Sequence, residues 1–141
     1  MEVADLLRKT PLFKDLSEAE IELLAQSTRI QSYKPGQTIV REGHVGAAFF
    51  ILVSGSVEVI KHKADSGEEV VATLGAGEFF GEFAMLRHVS RWASVRALEE
   101  TVCLAIWRTD FESYIEQFPV VAAKVKSTMA VRLAEDQLPE G

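Results

Sequence analysis

Apolar residues recur along this chain with two different spacings, and the change from one to the other marks out its elements. Near the start, Ile21, Leu24 and Ala25 fall on one face at helical spacing. Ser17-Glu18-Ala19-Glu20 precedes them as a capping box, in which the serine hydroxyl accepts from the amide three residues on and Glu20 reaches back. A short amphipathic helix is predicted there. After Tyr33 the turn Lys34-Pro35-Gly36-Gln37 opens a different regime of short β-branched and aromatic runs, punctuated by Gly43, Gly46, Gly55, Gly67, Gly75, Gly77 and Gly81. Strands are predicted over Thr38 to Arg41, Phe49 to Val53, Ser56 to His62, Glu69 to Leu74, Ala93 to Ala97 and Thr101 to Trp107. A second capping box, Thr109-Asp110-Phe111-Glu112, predicts a helix with Phe111, Tyr114, Ile115 and Phe118 on its apolar stripe. Pro119 ends that helix and suits the first turn of another, along which Val121, Val125, Met129 and Leu133 recur every four residues. Leu138 to Gly141 is expected to fray.

Strands this short and this evenly spaced favour a closed or sandwiched antiparallel sheet. The expected fold is mainly β, a jelly roll or double-stranded β-helix over about residues 30–107, flanked by an N-terminal helix and by C-terminal helices over about residues 109–137. All of it is read as one domain, residues 1–141.

Composition narrows the picture. With 48% hydrophobic and 26% charged residues in 141, the chain suits one globular domain, not two and not a disordered tail. The longest apolar run, Phe49 to Val53, is far too short to span a bilayer, and Met1 to Leu16 lacks the apolar core of a signal peptide, so a soluble cytoplasmic protein is expected, without membrane insertion. The formal charge of −6 has the wrong sign for direct binding of nucleic acid through the bulk field, so any anion must be held locally. Cys103 is alone, in an apolar run, and reads as a reduced core residue. His44, His62 and His88 lie too far apart in sequence to suggest a metal site. No Gly-x-Ser-x-Gly elbow and no Gly-x-x-x-x-Gly-Lys run is present, and no paired carboxylates stand out beyond charged faces such as Glu68-Glu69 and Glu99-Glu100. An enzyme is not expected.

The chemistry concentrates in residues 75–95. A glycine-rich strand exit feeds a short helical pattern, Glu82 to Leu86, whose first-turn amides lack intrahelical partners and attract anions. Arg91 follows with a planar guanidinium able to take two phosphate oxygens at once, and Glu82 can accept from a sugar hydroxyl. Glycine at 81 lets main chain approach a ligand closely. These are the parts needed to hold one small phosphorylated sugar inside an acidic protein.

Phe80-Gly81-Glu82-Phe83-Ala84-Met85-Leu86, followed by Arg91-Trp92-Ala93-Ser94-Val95-Arg96-Ala97, resembles the phosphate-binding cassette of cyclic nucleotide-binding domains. Glu42-Gly43-His44-Val45-Gly46-Ala47-Ala48 and the run to Val59 are similar to the family's glycine-spaced strand pair, and Leu12-Phe13 with the Ser17 helix to its N-terminal helix. The likeness covers residues 10 to 135. It departs from the family at His44 and Ala47, where acids are common, and in the loop Arg87-His88-Val89-Ser90, where glycine and a proline are usual.

The resemblance implies a receptor or regulatory domain for a 3′,5′-cyclic nucleotide, cAMP favoured over cGMP, with no further cofactor, that passes occupancy to an unidentified effector through its C-terminal helices. Carried over by position, it implies that Glu82 accepts from the ribose 2′-hydroxyl, that Arg91 pairs with the cyclic phosphate, and that the amides of Ala84 and Trp92 face that phosphate, with Gly81, Phe83 and Ala93 completing the cassette. Met129, Arg132, Asp136 and Gln137 are the expected base or lid contacts. Trp92 stands where the family usually has a small residue or a threonine whose hydroxyl favours cGMP. Three roles are open to it: stacking on the purine, blocking the pocket, or standing idle at the rim. The stripe from Val121 to Leu133 suits intramolecular packing and a homodimer seam equally. The rival reading is a degenerate roll that binds no nucleotide and serves as a docking or dimerisation module. The winged helix that follows in the catabolite-activator branch is missing before Gly141, so DNA binding by this polypeptide is not expected, whether it is a freestanding receptor or one domain of a longer protein.

Overall fold

Each strand pairs with the one that mirrors it in chain order. In the structure, a computed structural model that describes residues 2–65, 67–87 and 90–136, β1 (Thr28–Tyr33) pairs with β8 (Thr101–Trp107) and β2 (Thr38–Val40) with β7 (Ser94–Ala97). Inside them β3 (Ala48–Ser54) pairs with β6 (Phe79–Phe80) and β4 (Ser56–Lys63) with β5 (Gly67–Gly75), all antiparallel. Further pairings of β3 with β8 and β4 with β7 give two four-stranded sheets, ordered β1-β8-β3-β6 and β2-β7-β4-β5. This nested pairing makes the roll a jelly roll. The helices flank it: α1 (Val3–Arg8), a 3-10 turn at Pro11–Phe13, α2 (Glu18–Ala25), α3 (Glu82–Arg87), α4 (Arg108–Gln117) and α5 (Pro119–Asp136).

Why β3 is apolar at every position from Ala48 to Val53 follows from its two buried faces. Phe49 and Ile51 pack, with Leu104 and Ile106 of β8, against helix residues Leu7, Leu24, Phe111 and Val125. The alternate residues Ala48, Phe50 and Leu52 turn into the roll and meet Val57, Phe80, Val95 and Cys103. A strand covered on both sides loses the usual apolar-polar alternation. Burial in this second cluster pushes the Cys103 thiol up to about 12, which keeps it an unreactive thiol.

The first capping box forms as expected, with the Glu20 amide donating to Ser17 Oγ at 3.2 Å and the Ser17 amide to Glu20 Oε1 at 2.7 Å. The second does not. The amide of Arg108 donates to the Ala47 carbonyl at 2.9 Å and its side chain to the Gly46 carbonyl, so the chain turns helical at Arg108 with Trp107 as N-cap, and Thr109 falls inside the first turn. Pro119 opens α5 as expected. Four elements carry no signal that the sequence reading used: α1, the 3-10 turn at Pro11–Phe13, β1 and β6. β1 buries only Thr28 fully and turns Ile30 outward, so it carries no alternating signal, and β6 is two residues long. Gln137 of the expected lid, with His88 and Val89 of the cassette loop, lies outside the described residues, as do the side chains of Phe83 and Asp136.

Candidate functional site

Gly81 sets the geometry at the roll's mouth. It ends β6 with φ of +91°, and a Cβ there would lie 2.8 Å from Arg91 Nη1 and 3.0 Å from the Ala48 carbonyl, so only glycine lets the guanidinium lie against this turn. Arg91 Nη2 donates to the Ala48 carbonyl at 2.7 Å and Nη1 to the Gly81 carbonyl at 3.5 Å, with the guanidinium 6.0 Å from the Phe50 ring centroid. Its main chain is fixed as well. The Arg91 amide donates to the His44 carbonyl at 2.8 Å, the Gly43 amide to the Arg91 carbonyl at 2.7 Å, and Val45 bridges Ser90. Gly46 of this loop lies so close that a Cβ would come within 2.6 Å of the Ala84 Cβ and 3.2 Å of Arg91 Cζ.

Glu82 and Arg91 are the site's buried charged pair of positions, 4% and 8% exposed. They do not bond to each other. Glu82 Oε1 accepts instead from Arg132 Nη1 of α5 at 2.7 Å, and Arg132 also donates to the Phe79 carbonyl at 2.6 Å and lies 5.1 Å from the Phe79 ring centroid. Arg91 makes no ion pair with any carboxylate among the described residues. Burial, and then the like charge of Arg108, bring its pKa down to about 10 against the pull of Glu82, which still leaves it charged at neutral pH.

These groups open onto a cavity of about 560 Å³, within the range of small-molecule sites. Gly81, Glu82, Ala84, Arg91, Trp92 and Ala93, all expected from sequence, line it together with Arg132. Met129 does not line it; α5 presents Ser127, Thr128 and Val131 to the cavity instead. The spacing 128, 131, 132 is one helical face beside the Val121–Val125 stripe, a signal visible in sequence once the stripe is assigned to the core. Val59 of β4 and Val71 and Ala72 of β5 also line the cavity, packed in the same apolar cluster as Trp92. No group of three or more potential metal ligands occurs among the described residues, and no helix among them is long and apolar enough to cross a membrane.

The site thus holds a buried guanidinium, without a carboxylate partner among the described residues, and a buried carboxylate in one cavity that apolar and aromatic residues also line. The family model for the cyclic nucleotide-binding domain matches residues 30–118, more than half of the chain. The cyclic AMP receptor protein of Thermus thermophilus is 33% identical over 94% of this chain and 61% of its own length. A cAMP-dependent protein kinase regulatory subunit of Mycosarcoma maydis is 41% identical over 67% of this chain and 18% of its own. Among solved structures, the regulatory subunit of a cAMP-independent protein kinase A from Trypanosoma brucei superimposes with a TM-score of 0.80 at 28% identity, covering 88% of this chain and 44% of that one. The chain therefore spans less than two thirds of each of these proteins.

Proposed function

The chain belongs to the cyclic nucleotide-binding domain family, and from that premise we propose that it is a receptor for a 3′,5′-cyclic nucleotide, cAMP before cGMP, whose occupancy is passed on through α4 and α5. The observation that carries this reading is the state of Arg91. A guanidinium that is 8% exposed, held by main-chain carbonyls and lying near the positive Arg108, costs free energy until an anion joins it. A cyclic phosphate supplies that anion and fits the planar fork of donors.

In this reading the phosphate meets Arg91 and the amides of Ala84 and Trp92. The ribose 2′-hydroxyl donates to Glu82, whose Oε1 also accepts from Arg132. The purine then lies between the Trp92 indole and Val131. Arg132 joins α5 to the same carboxylate that holds the sugar, so the ligand stabilises the arrangement in which α5 lies over the cavity. Only contacts made more strongly in that closed state shift the population. Preference for cAMP is supported by Trp92, which presents an indole to the cavity at the position where a hydroxyl would favour guanine.

A second reading draws on the Trypanosoma brucei relative, described as a subunit of a cAMP-independent kinase: the roll alone does not fix the ligand. A thermal-shift panel with cAMP, cGMP and a cyclic dinucleotide decides between them. Ligand at 100 times its Kd adds about 2.7 kcal/mol to native-state stability, a rise in Tm of roughly 5 to 10 °C. The receptor reading predicts that rise with cAMP first; no shift with any of the three favours a docking module.

A further inference from the structure

Trp92 is held from outside the cavity by a pair that no sequence motif joins. Lys61, near the end of β4, donates from Nζ to the Trp92 carbonyl at 2.6 Å, and the same ammonium lies 5.7 Å from the centroid of the Trp92 ring. Glu42, just beyond β2, holds the lysine in turn with Oε2 at 3.4 Å from Nζ, while Oε1 accepts from the His62 amide at 2.9 Å. The Glu42 amide donates to Ser94 Oγ at 2.9 Å, two residues past the tryptophan. Both side chains are about three-quarters covered, at 23% and 28% exposed, which screens the pair less than an open surface ion pair.

We propose that Lys61, anchored by Glu42, is the positioning residue for the nucleobase end of the site: it fixes the main chain and the indole of Trp92 as a preformed wall against which the purine stacks. The inference rests on the receptor reading and adds to it a residue that lies outside the cavity lining. A charge-assisted hydrogen bond to the carbonyl sets where residue 92 leaves the cassette, and a cation near the ring restricts how the indole turns. Fixing the wall before the ligand arrives removes an ordering cost that the base would otherwise meet on binding. The Trp92 amide that faces the phosphate shares a planar peptide group with the Arg91 carbonyl, which the Gly43 amide fixes from the other side, so loss of Lys61 should be felt chiefly by the base and little by phosphate and sugar.

The test compares Lys61→Met, Glu42→Gln and Lys61→Arg with wild type by calorimetric titration of cAMP and of a methyl riboside 3′,5′-cyclic phosphate, which keeps sugar and phosphate and lacks the purine. Acrylamide quenching of Trp92 emission is followed without ligand, all in a Trp107→Phe background. Lys61→Met should weaken cAMP about 5- to 30-fold, leave the base-free ligand within about twofold, and raise quenching; Glu42→Gln should do the same in smaller measure, and Lys61→Arg should recover most of the loss. Equal weakening of both ligands, or of neither, overturns the proposal, as does unchanged quenching. If wild type binds neither ligand, the receptor reading itself falls and the base-positioning role with it, and the ligand-free quenching still decides whether Lys61 holds the ring.

Discussion

Gly81 leaves no room for a methyl group between a turn and a guanidinium. A Cβ at this position would meet Arg91 Nη1 at 2.8 Å and the Ala48 carbonyl at 3.0 Å, at a φ of +91° that L side chains resist. Gly81→Ala should therefore cost about 1 to 3 kcal/mol of stability in urea melts and, by displacing Arg91, weaken cAMP by about tenfold or more. A variant that keeps both stability and affinity would show that Arg91 is not held against this turn. At this scale much was legible. Glu82 and Arg91 belong to one short segment whose residue types state their own chemistry, and the structure brings both to one cavity. The Lys61–Glu42 pair was not legible, because it exists only through the register of β4 against β7 and the path of the chain after β2. No local pattern records a contact between residues 61 and 92.

The C-terminal helix α5 is buried at its start and tethered farther along by a charge. Val121 and Val125 are buried against the α4 and β3 residues of the helical core, whereas the far half reaches the roll through Arg132 on Glu82 and the Phe79 carbonyl. Arg132→Gln removes the charge from that tether. Amide hydrogen exchange should then speed up about tenfold over residues 126–136 and stay unchanged over residues 119–125, as expected for a helix end that opens locally. Uniform exchange along the helix would mean that Arg132 tethers nothing. Elements were readable where their signal is local: the Ser17 capping box formed, and Pro119 opened α5. They were unreadable where a tertiary contact decides. The start of α4 is set by Ala47 and Gly46, not by Thr109, and β1 is a strand because β8 pairs with it.

Across the whole molecule, nested strand pairing brings segments far apart in sequence to one cavity: β5, the β6–α3 turn, the approach to β7, and the far half of α5. The protein carries a formal charge of −6, so attraction for an anion must come from within the roll, where a low local dielectric strengthens a single cation. The charges lining the cavity, Arg91 and Arg132 against Glu78 and Glu82, cancel, so the attraction is local to Arg91 and the whole functional reading depends on that side chain. Isothermal titration of cAMP into Arg91→Ala and wild type tests that dependence directly. Removing the partner of a buried phosphate should cost about 2 to 5 kcal/mol, a rise in Kd of roughly 30-fold to several thousand-fold, while the fold is retained. Equal affinity in the two proteins would contradict the account.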